Sequence, residues 1–125
     1  AARGYRTVFT SASPNSTAAP SSWVPPLATS VTIAVNVAVG VAQFVWFDAR
    51  TLRDYTMCPA LVVDARQYYR VVTSAYLHGG ALHLGVNMLS LRSIGPALEY
   101  RLGTCALLSW IGLATVLSGA CHAAL

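Results

Sequence analysis

The chain has 125 residues, of which 55% are hydrophobic and only 10% are charged. With a mean hydropathy of +0.55, it lies outside the range of ordinary soluble domains and is typical of membrane proteins. The net charge of +4 arises from arginines that stand singly along the chain, which argues against a nucleic-acid surface and for anchors at the faces of a bilayer. We therefore expect membrane lipid as a partner and no nucleic acid.

Residues 1–26 form a first segment of different composition. They contain Arg3, Arg6, four prolines, many Ser, Thr and Ala residues, and no acidic residue. A stretch this poor in large apolar side chains does not form a packed core, so we predict a flexible or extramembrane segment. The Arg-bearing, Ser-rich, acid-free composition also resembles an organellar targeting segment, and it predicts the mitochondrial inner membrane as the location.

The first predicted membrane span covers residues 27–47. It lies in a stretch without charged residues between Arg6 and Asp48. Its length matches the ~20 residues that a helix needs to cross the hydrocarbon core of a bilayer. Trp46 and Phe47 end it with the aromatic rings typical of a membrane interface. Small residues spaced four apart predict a face that a second helix can approach closely. The members of this stripe are Ala34, Ala38 and Ala42.

Residues 48–81 separate the first span from the second. A link of this length is unusual between neighbouring helices and predicts structure of its own. Within it, the stretch VVDARQYYRVVTSAYLH interleaves apolar side chains at helical spacing with charged ones. We therefore expect a structured loop that lies along the membrane interface.

Two further spans follow. The second, residues 82–98, is interrupted by Arg92 and a Gly-Pro pair, whereas the third, residues 104–125, contains no Asp, Glu, Lys or Arg. The arginines divide too evenly between the two sides to fix the orientation. The sequence thus predicts an all-α membrane protein with three transmembrane helices in one membrane domain, residues 27–125. A second small-residue stripe lies on the third span, at Thr115, Gly119 and Ala123.

Two polar side chains at the start of the second span require partners in a bilayer. His83 and Asn87 are four residues apart and therefore share one face of a helix. One interpretation is structural: the pair holds the preceding turn, His78, Gly79 and Gly80, against the mouth of the helix. The other is chemical, because an imidazole and a carboxamide can donate hydrogen bonds to a developing oxyanion.

The ordered motifs around this pair resemble those of the rhomboid intramembrane serine proteases. The resemblance covers about residues 66–125, and its one mild departure is Tyr69, which stands where the family usually has Trp. The matching motifs are, in order, Tyr69-Arg70, Thr73-Ser74, LHGGALHLGVNM and EYRLG.

This resemblance implies roles for four residues. His83 and Asn87 correspond to the oxyanion-stabilising pair of the family. Arg70 and Glu99 correspond to charged residues that brace the loop, and an ion pair between them would relieve the cost of burying either one.

The resemblance also implies that a nucleophile is missing. In rhomboids the nucleophilic serine lies on the fourth core helix and its histidine base on the sixth, whereas the predicted spans end with the third. Ser118 and His122 have helical spacing, but they lack the tight turn and the orienting group of an activated nucleophile. A serine bonded to its own helix is the commoner state. We therefore expect a chain truncated after the third core helix, without catalysis, in which His83 and Asn87 are vestigial.

Three functions remain open. The first, which we prefer, is a structural subunit or scaffold of a larger membrane complex, because His83, Asn87 and Arg92 would otherwise face lipid. The second is an incomplete portion of an active rhomboid protease that cleaves transmembrane substrates. The third is a small haem-binding electron-transfer subunit, because antiparallel second and third spans would bring His83 and His122 to the same membrane end.

The preferred interpretation includes no cofactor and no metal. Cys58, Cys105 and Cys121 form no C-x-x-C pair, and the sequence has no zinc-type ligand spacing. A disulfide framework is not expected either.

Overall fold

A computed structural model describes residues 25–124, and within this range the chain is helical and has no strand. The predicted segment 1–26 lies outside the described residues except for its last two prolines. Six α-helices and one 3₁₀ turn follow one another: α1 (Leu27–Trp46), α2 (Ala49–Tyr55), α3 (Pro59–Val63), α4 (Tyr69–Thr73), the 3₁₀ turn (Ser74–Tyr76), α5 (Ala81–Leu102) and α6 (Thr104–Ala124).

Two of the three long helices are apolar enough to cross a membrane. These are α1 and α6, which correspond to the first and third predicted spans. The long helix α5 does not meet the same criterion of length and composition, so the middle span is not established. The physical reason is local, because His83, Asn87 and Arg92 interrupt the apolar side chains of α5.

The central contact of the structure joins α1 and α5. The two helices are antiparallel, since Gly40 of α1 lies beside Leu84 near the start of α5, and Thr29 lies beside Gly95 near its end. A methyl group added at Gly40 would lie 2.5 Å from Leu84 Cδ2, and one added at Gly95 would lie 2.5 Å from Thr29 Cγ2. The absence of a side chain at these two glycines therefore determines how closely the helices approach.

The packing face of α1 is not the predicted alanine stripe. Ala34 and Ala38 are exposed and Ala42 is half-buried. The face is instead set by polar groups that need partners and by a glycine that allows close approach. Its buried residues are Ala28, Thr29, Asn36, Gly40 and Gln43.

The small-residue stripe of α6 lies on a packed face. Gly119 is buried, and Thr115 and Ala123 are half-buried. A methyl group at Gly119 would lie 2.7 Å from both Cγ1 and the carbonyl oxygen of Val71, which belongs to α4. At Gly119 the stripe therefore contacts the backbone of the linking segment.

The linking segment between α1 and α5 is built of short helices. Asp48 caps α2, because its carboxylate accepts a hydrogen bond from the Thr51 amide at 2.7 Å, and this bond lowers the pKa of Asp48. At the far end of α5, Gly103 adopts a φ of +86°, and its amide donates to the Glu99 carbonyl at 2.8 Å. This turn reverses the chain into α6.

The glycine contact between α1 and α5 predicts a position-specific effect on stability. Gly95→Ala forces a methyl group against Thr29, so we expect a loss of about 1–3 kcal/mol in the free energy of unfolding. Gly85→Ala on the same helix meets nothing within 4 Å and should be neutral or stabilising by up to ~1 kcal/mol. The loss of helical circular dichroism with increasing denaturant, recorded in micelles, measures the stability of both variants. Equal stabilities of Gly95→Ala and Gly85→Ala would contradict the close contact between Gly95 and Thr29.

Candidate functional site

The two predicted oxyanion residues lie on one open flank of α5. His83 and Asn87 are both exposed, one helical turn apart. Apolar neighbours on this part of the helix are exposed as well, Leu82 by 82% and Val86 by 52%. Arg92 is also exposed, but nine residues after His83 it points to the opposite side of α5. The polar residues of α5 therefore form two separate sites and not one face.

The preceding turn is held by α1, through a residue that sequence reasoning missed. The buried Gln43 side chain donates from Nε2 to the His78 carbonyl and accepts the His78 amide at 2.9 Å. Both backbone groups of His78 are thus satisfied by one carboxamide, as a neighbouring strand would satisfy them. The turn is therefore tied to α1 through His78, and within residues 25–124 no hydrogen bond joins it to His83 or Asn87 as the structural interpretation expected.

The side chain of His78 connects this anchor to the open flank of α5. Its Nδ1 lies 3.0 Å from the Tyr76 carbonyl, which favours a proton on Nδ1. Its ring meets the ring of His83 edge to face, with the centroids 5.7 Å apart. Gly79 lies close to His83, since a methyl group there would be 3.8 Å from His83 Nδ1, whereas one at Gly80 would meet nothing within 4 Å. Gln43 and His78 therefore fix the surroundings of His83.

Arg70 is buried but does not form the expected ion pair with Glu99. Its Nη1 donates to the carbonyls of Arg53 and Thr56 at 2.6 and 2.7 Å, and its Nε donates to Gln67 Oε1 at 2.7 Å. The guanidinium thereby joins the end of α2 to α4. Within residues 25–124, its acceptors are neutral oxygens of the linking segment.

Glu99 finds its partners at the other end of the bundle. Its carboxylate accepts the amides of Ala28 and Thr29 at 2.8 and 2.9 Å, and the hydroxyls of Thr29 and Thr104 at 2.9 and 2.8 Å. Pro26 gives α1 no side-chain cap, so a carboxylate from α5 satisfies these amides instead. The burial of Glu99 is thus compensated by hydrogen bonds and not by an opposite charge.

Within residues 25–124, no hydrogen bond joins a serine hydroxyl to a histidine ring. Ser90, Ser93 and Ser109 donate to carbonyls of their own helices. Ser118 and His122 line an open cavity of about 840 Å³ together with His78 and Gln43, but no hydrogen bond joins them. The cavity brings His122 towards His78, whereas His83, its partner in the haem hypothesis, does not line it.

The cysteines and other ligand types are dispersed in the part of the chain that the structure describes. Cys58, Cys105 and Cys121 are unpaired there, and no group of three His, Cys, Asp or Glu side chains converges on a metal position. Buried side-chain polar atoms in the same range all have hydrogen-bond partners. The open polar groups are therefore those on the exposed flanks.

Comparison with known proteins identifies the family to which the sequence around this site is similar. Residues 65–125 match the Rhomboid domain family. The chain is 38% identical over 69 residues to RHOMBOID-like protein 5 and 29% identical over 85 residues to Rhomboid-like protein 15, both of Arabidopsis thaliana. These alignments cover 55% and 68% of this chain. No solved structure matches.

The chain belongs to the rhomboid family. With two helices within residues 25–124 that are long and apolar enough to span a bilayer, it is an integral membrane protein of that family. The aligned part corresponds to 21% of the length of each of these two relatives.

The Gln43 anchor predicts a local effect on the turn before α5. Gln43→Leu removes both partners of the His78 backbone, so we expect a loss of about 1–3 kcal/mol and faster amide exchange at His78 and Gly79. Asn36→Leu is the matched control, because the Asn36 amide bonds only to the carbonyl of Thr32 in its own helix. Hydrogen exchange with mass spectrometry reads the turn directly, and unchanged protection in Gln43→Leu would contradict the anchor.

The separate partners of Arg70 and Glu99 predict that their substitutions act independently. Both Arg70→Met and Glu99→Gln should destabilise the protein, because each leaves buried partners unsatisfied. Because the two side chains share no hydrogen-bond partner, the double-mutant cycle should give a coupling energy within about 0.5 kcal/mol of zero. Denaturant titrations of the four proteins measure it. A coupling energy of several kcal/mol would contradict this independence and would indicate an ion pair between Arg70 and Glu99.

Proposed function

We propose that this chain is a non-catalytic, rhomboid-like structural subunit, or scaffold, of a larger membrane assembly. The observation that carries the proposal is the exposed flank of α5 with His83 and Asn87. In this role α1 and α6 anchor the subunit in the bilayer, and the open flank of α5 packs against helices of other subunits.

The cost of exposing polar groups to lipid supports this role. Imidazole and carboxamide groups in a hydrocarbon environment are unfavourable unless they are hydrogen-bonded. A neighbouring helix that supplies hydrogen-bond partners would satisfy His83 and Asn87 and would cover the exposed apolar side chains beside them. The flank thus has the chemistry of a helix-packing surface.

The state of the hydroxyl groups supports the absence of catalysis. Nucleophilic catalysis by serine needs a base within about 2.6–3.2 Å of the hydroxyl. Three serines donate to carbonyls of their own helices, and Ser118 has no bond to His122. An oxyanion site stabilises charge that develops during an attack, so His83 and Asn87 alone do not cleave a peptide bond.

The mitochondrial inner membrane is our proposed location. It is supported by the Arg-bearing, acid-free composition of residues 1–26, which is typical of organellar targeting segments.

A second candidate function is favoured by the geometry of the same flank. His83 and Asn87 lie one turn apart and both are accessible, as donors to an oxyanion would be. The chain would then be the portion of an active rhomboid serine protease that contributes this pair, while another portion contributes the serine and its base.

Two measurements on the protein in its native membrane test these roles. Native electrophoresis with mass spectrometry should show a complex well above the 13.2 kDa of this chain. The double substitution His83→Leu with Asn87→Leu should release the chain from it, whereas Arg92→Leu, on the opposite side of α5, should not. Because all three changes make α5 more apolar, membrane insertion is preserved.

The second measurement addresses catalysis. A fluorophosphonate probe should label no serine of this protein. Labelling of such a serine would overturn the non-catalytic role and favour the protease. Migration as a single 13.2 kDa species would overturn the scaffold role.

A further inference from the structure

An apolar cavity opens between α1 and the linking segment, away from His83 and Asn87. Its volume is about 250 Å³. Val35 and Val39 form its wall on α1, and the linking segment covers it from the other side. The complete lining is Val35, Val39, Phe47, Tyr55, Thr73, Tyr76 and Leu77.

The chemistry of the lining selects an apolar ligand. Water occupies a cavity only where polar groups offer it several hydrogen bonds, whereas apolar cavities stay dry. The hydroxyl of Thr73 is already used, since it donates to the Tyr55 carbonyl at 2.9 Å. An apolar cavity of about 150 Å³ is large enough for a benzene ring, so about 250 Å³ accommodates a short stretch of hydrocarbon chain.

The position of the cavity indicates where the hydrocarbon comes from. Trp46, 73% exposed, ends α1 as an aromatic residue does at a membrane interface. Val39 lies seven residues earlier, about 10 Å deeper along the helix, and Val35 about 16 Å deeper. The cavity therefore extends from the interface to the depth of the lipid acyl chains on a helix that can span the bilayer.

We propose that this cavity binds the acyl chain of a membrane phospholipid. The bound chain fills the space between Val39 and the rings of Phe47, Tyr55 and Tyr76, and it fastens the linking segment to the bilayer. This binding site is independent of the open flank of α5, so it stands whether or not the scaffold role holds.

The experiment compares two valines of α1. The full-length protein is reconstituted in phosphatidylcholine vesicles that contain a phospholipid with a photoactivatable acyl chain. Val35, 41% exposed, lines the cavity, whereas Val37, 40% exposed, does not. Val35→Trp should therefore obstruct the cavity, and Val37→Trp is the matched control.

Cross-links mapped by mass spectrometry give the result. We expect labels on Tyr76 and Leu77 in the wild type and in Val37→Trp, and loss of most of them in Val35→Trp. Val39→Trp, whose helical circular dichroism is measured in parallel, should reproduce the loss. Equal labelling of these residues in all variants would reveal only surrounding lipid and would overturn the proposal. The absence of label, or its displacement by a co-purified transmembrane helix, would overturn it as well.

Discussion

The arrangement of the long helices depends on one carboxylate. Glu99 of α5 accepts the amides of Ala28 and Thr29, which α1 cannot satisfy internally because they lie in its first turn. Pro26 precedes them and offers no side-chain oxygen. The N-terminus of a helix carries partial positive charge, so a carboxylate is favoured there without a formal counter-ion. The hydroxyl of Thr104 brings the start of α6 to the same group, and three long helices are thereby joined at one end.

The opposite end of the α1–α5 pair is fixed by the same requirement, that backbone groups removed from water find partners. There a neutral side chain suffices, since Gln43 satisfies both the amide and the carbonyl of His78. Arg70 acts likewise on the linking segment, where it donates to two carbonyls at the C-terminal end of α2. Between the two fixed ends, Gly40 and Gly95 let the helices approach. Hydrogen bonds of polar side chains therefore set the register of α1 against α5, and the two glycines, which have no side chain, set the distance between the helices.

The long helices were predictable from the sequence, whereas the partners of their polar residues were not. Runs of apolar residues identify α1 and α6, and the four-residue spacing in α6 identifies Gly119 as a contact position. The same spacing was misleading in α1, because the stripe at Ala34 lacks what determines that face, a glycine opposite Leu84 and an amide opposite His78. The available signal for Gln43 was that it is one of only two carboxamide side chains in a mostly apolar span.

Arg70 and Glu99 show why such partners escape a sequence. The resemblance to rhomboids implied that both residues brace the loop, and their opposite charges suggested an ion pair between them. An ion pair, however, competes with backbone groups that also need charged or polar partners. Each of these residues lies beside helix ends whose amides or carbonyls are unsatisfied, and a charged group bonds to several of them at once. Only the three-dimensional positions of those helix ends decide the outcome.

Under the proposed scaffold role, the exposed polar residues of α5 differ in how strongly they would need a neighbouring helix. Arg92 lies nine residues after His83 and points to the opposite side of α5, so one partner helix would not cover both. A long arginine side chain can carry its guanidinium along the helix towards the membrane interface. His83 and Asn87 have short side chains that stay where the backbone places them, and the ring of His83 is further confined by His78. In the proposed scaffold, the partner helix therefore packs on the flank of His83 and Asn87, on the same side of α5 as the turn that Gln43 holds.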